Sequence, residues 1–579
     1  MKKLAKDLYV FHDSCNVYVI KNGNNVVLID FGTGGVLEHL QDVNIAAILI
    51  THHHRDQLQG LSKVPGIPVY VPHSEQDLIH SADEHWQSRE ILNNYNNRQD
   101  RFSILNSTPI AGTLKDYSRI SLGGMDLTVI PTPGHTVGSI SLLHEEACFT
   151  GDLFYAPGKL WSLAATQWSY NGGEGLPYTV LSLLNLKDIG AHKFYPSHGS
   201  PMTPDAIDPT VNVLLELLRH RRHNSNLLEL YKNPYQYITP HVLHNCTSES
   251  DSYVLVSKSG KGLIIDYGYD FMAGFAHGVD RSARRPWAYT IPWLVKNGIT
   301  PTTCIPTHYH DDHVAGMNLL RDTYGVEVIC PEIFADIMEN PDAYDLPCLW
   351  YDSISIDRRV GESFIWEEYE IKTYPLPGHT LYAVAIVFTV DGKTFLCGGD
   401  QYAHPDGLEC NYVYKNKFSQ GDFVKTAKLY NRIFPDYLLT GHWGALEYTT
   451  AYGESLLARG EEICSLHSRI LPHEDFGNSF TVEFKPFHKK IDINDSFTAV
   501  VYVTNPFDTE SEVKLEMHIP NGFQVNGGLT ATIPSRGTVC FPMEIHVSYT
   551  PQKRTRISCD LIMNGVNMGQ QGEMLVSIK

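Results

Sequence analysis

Residues 306–316 read PTHYHDDHVAG, and residues 49–60 read LITHHHRDQLQG. Both carry the frame Thr-His-x-His-x-Asp, with His308 standing 256 positions after His52. They differ at the residue that follows the aspartate: His313 in the second segment, Gln57 in the first. In the first copy the frame follows an apolar run, IAAILI, which reads as a buried strand opening onto a loop. Side chains alternate along an extended segment, so His-x-His places two imidazoles on one side, where both can grip one ion. The aspartate two residues on can turn towards a second ion beside the first.

The two frames belong to a repeat. NVYVIKNGNNVVLIDFG (16–32) is answered by SYVLVSKSGKGLIIDYG (252–268), each patterned as a hairpin that ends in Asp and Gly. PTPGHTVGSISLL (131–143) is answered by PLPGHTLYAVAIVF (375–388), CFTGDLFY (148–155) by FLCGGDQY (395–402), and FYPSHGSP (194–201) by YLLTGHWGAL (437–446). The offset is 236 from Asp30 to Asp266, 244 from His135 to His379, 248 from Asp152 to Asp400 and 244 from His198 to His442. A duplicated domain with modest insertions follows. The largest insertion precedes His308 and contains RRPWAYTIPWLVKNGI (284–299), read as a loop and then a helix that could form a lid.

Imidazoles and carboxylates suit zinc, with iron or manganese as alternatives. In the second copy His308, His310 and His379 supply a three-nitrogen site, Asp312, His313 and His442 supply another, and Asp400 is placed to bridge. The expectation is two Zn2+ there. The first copy keeps His52, His54, His135, Asp56, Asp152 and His198. The amide of Gln57 is a weaker ligand than imidazole, so one or two ions are expected. His53 and Arg55 occupy the between-positions, where Arg55 could offer charge to an anion.

This set closely resembles the metallo-β-lactamase superfamily, with its His-x-His-x-Asp-His motif, later His, bridging Asp and final His. The resemblance spans roughly residues 5–210 and 235–460. It implies an α/β fold of two tandem αβ/βα sandwiches, each with two mixed sheets face to face, helices outside and metals at one edge. It also implies metal-activated hydroxide attacking a small ester, thioester or lactone. His308, His310, His379, Asp312 and Asp400 would be the catalytic set, with the main site in the second domain because its ligands are complete. Asp266 and Asp30 would steady a ligand imidazole, and Thr307 and Thr51 would assist. A small phosphodiesterase of the same fold is an alternative, as is a persulfide-dioxygenase-like, iron-dependent oxidoreductase in the first domain. A scaffold with metals as staples is the reading from outside enzymology. Aromatic residues for the second pocket include Tyr309, Tyr382, Tyr402 and Trp443, with Trp287, Tyr289 and Trp293 in the insertion.

The expected division is a first domain over 1–210, a helical linker over 211–234 (VNVLLELLRHRRHNSNLLELYK opens it), a second domain over 235–470, and an all-β, immunoglobulin-like sandwich over 478–579. The last rests on short alternating runs separated by turns such as Asn505-Pro506 and Pro520-Asn521-Gly522. A chain of 579 residues with a net charge of −20 disfavours general nucleic-acid binding and leaves a small molecule as the expected partner. Two basic clusters, RHRRH (219–223) and RSARR (281–285), read as a solvated helix face and a loop, the second able to hold an anionic group. Eleven scattered cysteines without Cys-x-x-Cys fit reduced, buried thiols in a cytoplasmic protein. No apolar run is long enough for a membrane span, and the N-terminus lacks a signal-peptide pattern. The C-terminal domain is the expected place for any homo-oligomer contact.

Overall fold

The computed structural model describes residues 1–87, 102–163, 175–221, 227–269, 285–402, 416, 417, 419–470, 481–550 and 552–579. Most of the 281–285 cluster, the end of the 219–223 cluster, the loop after Tyr402 and the junction before residue 478 lie outside them.

The first half is two sheets in contact. A seven-stranded sheet runs in chain order from Lys2–Ala5 to Gly112–Leu114, and a five-stranded sheet runs from Arg119–Leu122 to Lys193–Pro196. The strand Asn25–Ile29 shows why both faces are covered. Val27 and Ile29 join Ala47, Leu49, Leu127, Val129 and Phe149 between the sheets. Val26 and Leu28 turn the other way, onto Leu58, Leu61 and Ile79. A strand buried on both faces is therefore continuously apolar, and it pairs in parallel with Asn44–Leu49. The helices Leu176–Asp188 and Ile207–Arg221 cover the outer face of the five-stranded sheet, the latter burying Ile207, Val211, Leu214 and Leu218.

The second half repeats this plan, with a seven-stranded sheet from Tyr235–Thr239 to Arg358–Val360 and a six-stranded sheet from Ser363–Trp366 to Ala445–Glu447. Asp422–Ile433 and Thr450–Ile470 cover its outer face. The mixed α/β sandwich is thus present twice.

The C-terminal region is sheet-rich. Four strands (Val482–Lys485, Ser496–Thr504, Thr538–Val547, Phe523–Gly527) form one sheet, and five, including Ser511–His518, Arg554–Met563 and Val566–Ile578, form the other. Val501, Val503, Leu515, Ile545, Leu561 and Val576 share one core.

The insertion of the second half meets the first half. The buried Arg285 guanidinium pairs with Asp116 and donates from Nη1 to the carbonyls of Val137 (2.8 Å) and Ser139 (3.0 Å). Trp287 packs edge-on against Tyr178, and Tyr289 lies parallel to Tyr231 at 6.2 Å. Trp293 packs on Tyr235. These three aromatics line a domain interface and a core, which corrects their expected place at the second pocket; residues 270–284 of the insertion, from which a lid was expected, lie outside the described residues.

Candidate metal centres

In the second half, four strand ends, one from the seven-stranded sheet and three from the six-stranded sheet, converge at one edge of the sandwich. Thr300–Ile305 delivers His308 and His310, and the short helix Asp311–Val314 follows with His310 at its boundary. His379 stands after Tyr369–Pro375, Asp400 after Lys393–Gly399, and His442 after Tyr437–Thr440. One ligand atom each from His308, His310, His379 and Asp400 lies within 4.8 Å of the others, and the same holds for Asp312, His313, Asp400 and His442. Asp400 belongs to both groups: its Oδ2 is 3.5 Å from Nε2 of His379 and 3.2 Å from Nε2 of His442, and its Oδ1 is 3.2 Å from Nε2 of His313. Asp312 Oδ2 is 3.5 Å from His442 Nε2 and 3.6 Å from His313 Nε2.

Buried imidazole nitrogens normally find a partner, because an unsatisfied one costs about 1–3 kcal/mol. Here Nε2 of His308 is buried without a hydrogen-bond partner, and Nε2 of His313 and Oδ1 of Asp400, also buried, meet only each other, at 3.2 Å and outside hydrogen-bond geometry. Their other atoms are held. Asp266, in the left-handed region at φ 56°, accepts from Thr307 N (2.6 Å), Thr307 Oγ1 (2.8 Å) and His313 Nδ1 (2.9 Å), which aims His313 Nε2 at the cluster. A set of neutral nitrogens and carboxylates with orphaned atoms facing one focus fits divalent cations.

The electrostatics agree with the split into two groups. Burial, reinforced by neighbouring histidines, holds His308 and His310 well below the usual imidazole value. At His313 burial is overcome by Asp312, Asp400 and Asp266, which raise it. At His442 burial is overcome chiefly by Asp400, and the value rises to about 9. Burial at Asp400 is outweighed by His313 and His442, which hold the carboxyl well below its usual range.

The first half brings His52, His54 and His135 together within 4.8 Å, and Asp56, Asp152 and His198 likewise. His52 Nε2 is again an orphan. The region around Gln57 is rebuilt. Gln57 Nε2 donates to Asp152 Oδ2 (3.1 Å), occupying the carboxylate that corresponds to Asp400. Asp30 accepts from Thr51 N (2.9 Å) and Thr51 Oγ1, but its remaining donor is Ser197 Oγ at 2.5 Å. Ser197 occupies the position of Gly441, where any Cβ would collide with Asp400 Oδ1. His198 turns its Nδ1 to Asp152 (2.8 Å) and its Nε2 to the Ser14 carbonyl (3.0 Å), and Trp161 stacks on its ring at 4.1 Å. Burial raises Asp30 to about 7, while at Asp152 it is outweighed by His198, His135 and His52, giving about 2.

Three contributors escaped the sequence reading. Besides Ser197 they are Glu75 and Asn416. Buried Glu75 accepts the backbone N–H of His53 (2.7 Å) and of Gly138 (3.0 Å), tying the His52–His54 segment to the His135 loop. Glu75 and Asn416 lie in no repeated motif, and Ser197, inside FYPSHGSP, stands where the second copy has Gly441, so no shared residue marked it. Of the aromatic residues, Tyr309 is buried with its hydroxyl on Asn416, and Trp443, next to His442, is 48 % exposed. The described cysteines are all free thiols. No described helix is long and apolar enough to cross a membrane.

A family model described as the Metallo-beta-lactamase superfamily matches residues 11–198 and 248–401. A hydroxyacylglutathione hydrolase of Shewanella sp. (strain ANA-3) is 29 % identical over 142 residues, covering 24 % of this chain and 45 % of that one. A probable metallo-hydrolase of Streptococcus pyogenes serotype M6 is 27 % identical over 202 residues, covering 32 % of this chain and 80 % of that one. The chain thus spans less than half the length of the first of these relatives. Among solved structures, the DIM-1 metallo-beta-lactamase aligns at 17 % identity and a TM-score of 0.31, covering 39 % of this chain and 96 % of that one. A score of that size carries no functional weight.

Proposed function

This chain belongs to the metallo-beta-lactamase superfamily, whose model covers more than half of its length, and from that premise we propose a hydrolase of small esters, thioesters or lactones acting chiefly in its second domain. The observation that carries the proposal is the convergence of seven donor residues at one edge of the second sandwich, with His308 Nε2 buried and unsatisfied and His313 Nε2 set against Asp400 Oδ1 among them. We assign His308, His310 and His379 to one cation, Asp312, His313 and His442 to a second, and Asp400 to both. Zinc is the first choice for the donor set, with iron or manganese as alternatives. Such ions supply Lewis acidity and lower the pKa of bound water to about 7.

The side chains do the remainder. Asp312 Oδ2 sits beside both His313 and His442 and is placed to orient an attacking water and receive its proton. Asp266 and Thr307 hold the imidazoles of His313 and His308 in one orientation. Trp443 offers an apolar surface beside His442 for the acyl part of a substrate. Thioesters rank first, because several relatives, such as that of Tolumonas auensis at 30 % identity over 162 residues, are named hydroxyacylglutathione hydrolases.

For the first domain we propose one ion on His52, His54 and His135. Support comes from Gln57, which stands where the second copy has His313 and replaces an imidazole with an amide, a weaker ligand, whose Nε2 donates to Asp152 Oδ2. The C-terminal region keeps its immunoglobulin-like reading as part of this proposal, on its two sheets and shared core.

The test is a panel of chromogenic thioesters, lactones, esters and bis-phosphates with metal analysis of the same preparation. Asp312→Ala should remove at least about a hundredfold of kcat, in line with the loss of a general base, while Asp56→Ala leaves turnover nearly intact. Equal turnover by Asp312→Ala and the unsubstituted chain would move the chemistry out of the second domain.

A further inference from the structure

We infer that Asn416 is the positioning residue of the three-histidine half of the second centre, and that the C-terminal region acts on that centre through it. The inference rests on the metal-centre reading of the second domain.

Asn416 is 2 % exposed and touches both segments that carry this half of the site. Its Oδ1 accepts from Tyr309 Oη (2.9 Å) and from His310 Nε2 (3.1 Å). Its backbone carbonyl accepts from Leu381 N (3.1 Å) and Thr380 Oγ1 (3.1 Å), the two residues after His379. A neutral imidazole can carry its proton on either nitrogen, and the partner of one nitrogen decides the state of the other. The amide oxygen places the proton on Nε2 of His310. Nδ1 then has a free lone pair, at the point where it lies 3.0 Å from Nε2 of His379. One residue thereby sets the tautomer of one ligand and the separation of two.

The first domain also clips its two ligand segments together, with different chemistry. Glu75 there fastens the His52–His54 segment to the His135 loop through two backbone N–H groups. Two unrelated residues clipping the same pair of segments point to a requirement of the site rather than to an accident of packing.

The clip is in turn held from outside the domain. Lys417, the next residue, pairs through Nζ with Glu483 on the strand Val482–Lys485. That strand is seated on the second domain: Lys485 Nζ lies 4.7 Å from the Tyr344 ring centroid, and Phe487 N donates to the Ala343 carbonyl (3.0 Å). The path from the C-terminal sheet to a ligand imidazole is Glu483, Lys417, Asn416, His310.

The experiment uses the full chain with the first centre silenced by His52→Ala and His54→Ala. Zn2+ affinity is read by competition with a chromogenic chelator, and Co2+ absorption reports the ligand field. Asn416→Leu should weaken Zn2+ by about 10–100-fold and shift the Co2+ bands, as loss of a ligand's orienting partner does. Asn416→Asp, which keeps the acceptor, should restore both. Glu483→Gln, a half-exposed change that leaves the core alone, should move affinity in the same direction by a smaller factor. Asn416→Leu binding Zn2+ within twofold of its parent would overturn the positioning role. An effect of Asn416→Leu with none of Glu483→Gln would overturn the role of the C-terminal region. A parent chain that holds no metal would sink the metal-centre reading, and this inference with it.

Discussion

Gln57 and Ser197 are a linked pair of residues. In the second domain the Asp266 carboxylate takes the Nδ1 proton of His313; in the first, Asp30 has no imidazole to receive and takes the Ser197 hydroxyl instead. Restoring the histidine alone therefore sets it against an occupied carboxylate. Gln57→His is expected to leave the metal content of the first domain unchanged, whereas Gln57→His with Ser197→Gly should add one equivalent per chain by elemental analysis. The thirteen candidate ligands were legible in the sequence because each follows a strongly apolar strand at short range and all but His313 recur in register. Ser197 was not, because its partner Asp30 is 167 positions away and a serine after an apolar run carries no pattern. Asn416 and Glu75 were hidden for the same reason: their partners are backbone groups and ring nitrogens brought near only by folding.

At the scale of elements, the strand edge on which the ligands stand is kept in register by contacts beyond the ladders. His244, on the strand Val242–Asn245, pairs with Asp251 (2.7 Å), and Asp251 also accepts Gly444 N–H two residues after His442. At His244 burial is overcome by Asp251 and Cys246, and the value rises to about 9. A histidine whose folded value exceeds its unfolded value of about 6.5 adds stability that is full below that value and is lost as pH rises through the folded one. The described contribution should therefore fade between about pH 6.5 and 9, and His244→Gln should flatten that part of a denaturant-midpoint profile. An unchanged slope would remove this pair from the account. The double sandwich was readable at this scale because hairpin turns, Asp-Gly strand ends and Gly-His loops repeat in one order. The insertion was not: Trp287, Tyr289 and Trp293 read as loose aromatics near a pocket, whereas the first two meet Tyr178 and Tyr231 beside the Arg285 contacts and Trp293 packs on Tyr235 of its own half.

Across the whole molecule, each domain reaches the ligand loops of the one before it. Arg285 of the second domain holds the carbonyls of Val137 and Ser139, two and four residues after His135 of the first, and Glu483 of the C-terminal region holds Lys417 beside Asn416. Trp287→Ala should cost about 3–5 kcal/mol, the range for emptying a buried tryptophan site. Arg285→Met should loosen the metal of the first domain while leaving the second unaffected, which a chelator titration of each centre would show. Two sandwiches and a sheet-rich tail were foreseeable from spacing and alternation, but the mutual bracing was not, since ion pairs between domains have no periodicity. The central claim is that the second domain gathers two cations about Asp400. Anomalous diffraction from zinc-loaded crystals tests it most directly. The account predicts two peaks flanking that carboxylate, one against His308, His310 and His379 and one against Asp312, His313 and His442; a map without density between these side chains would contradict it.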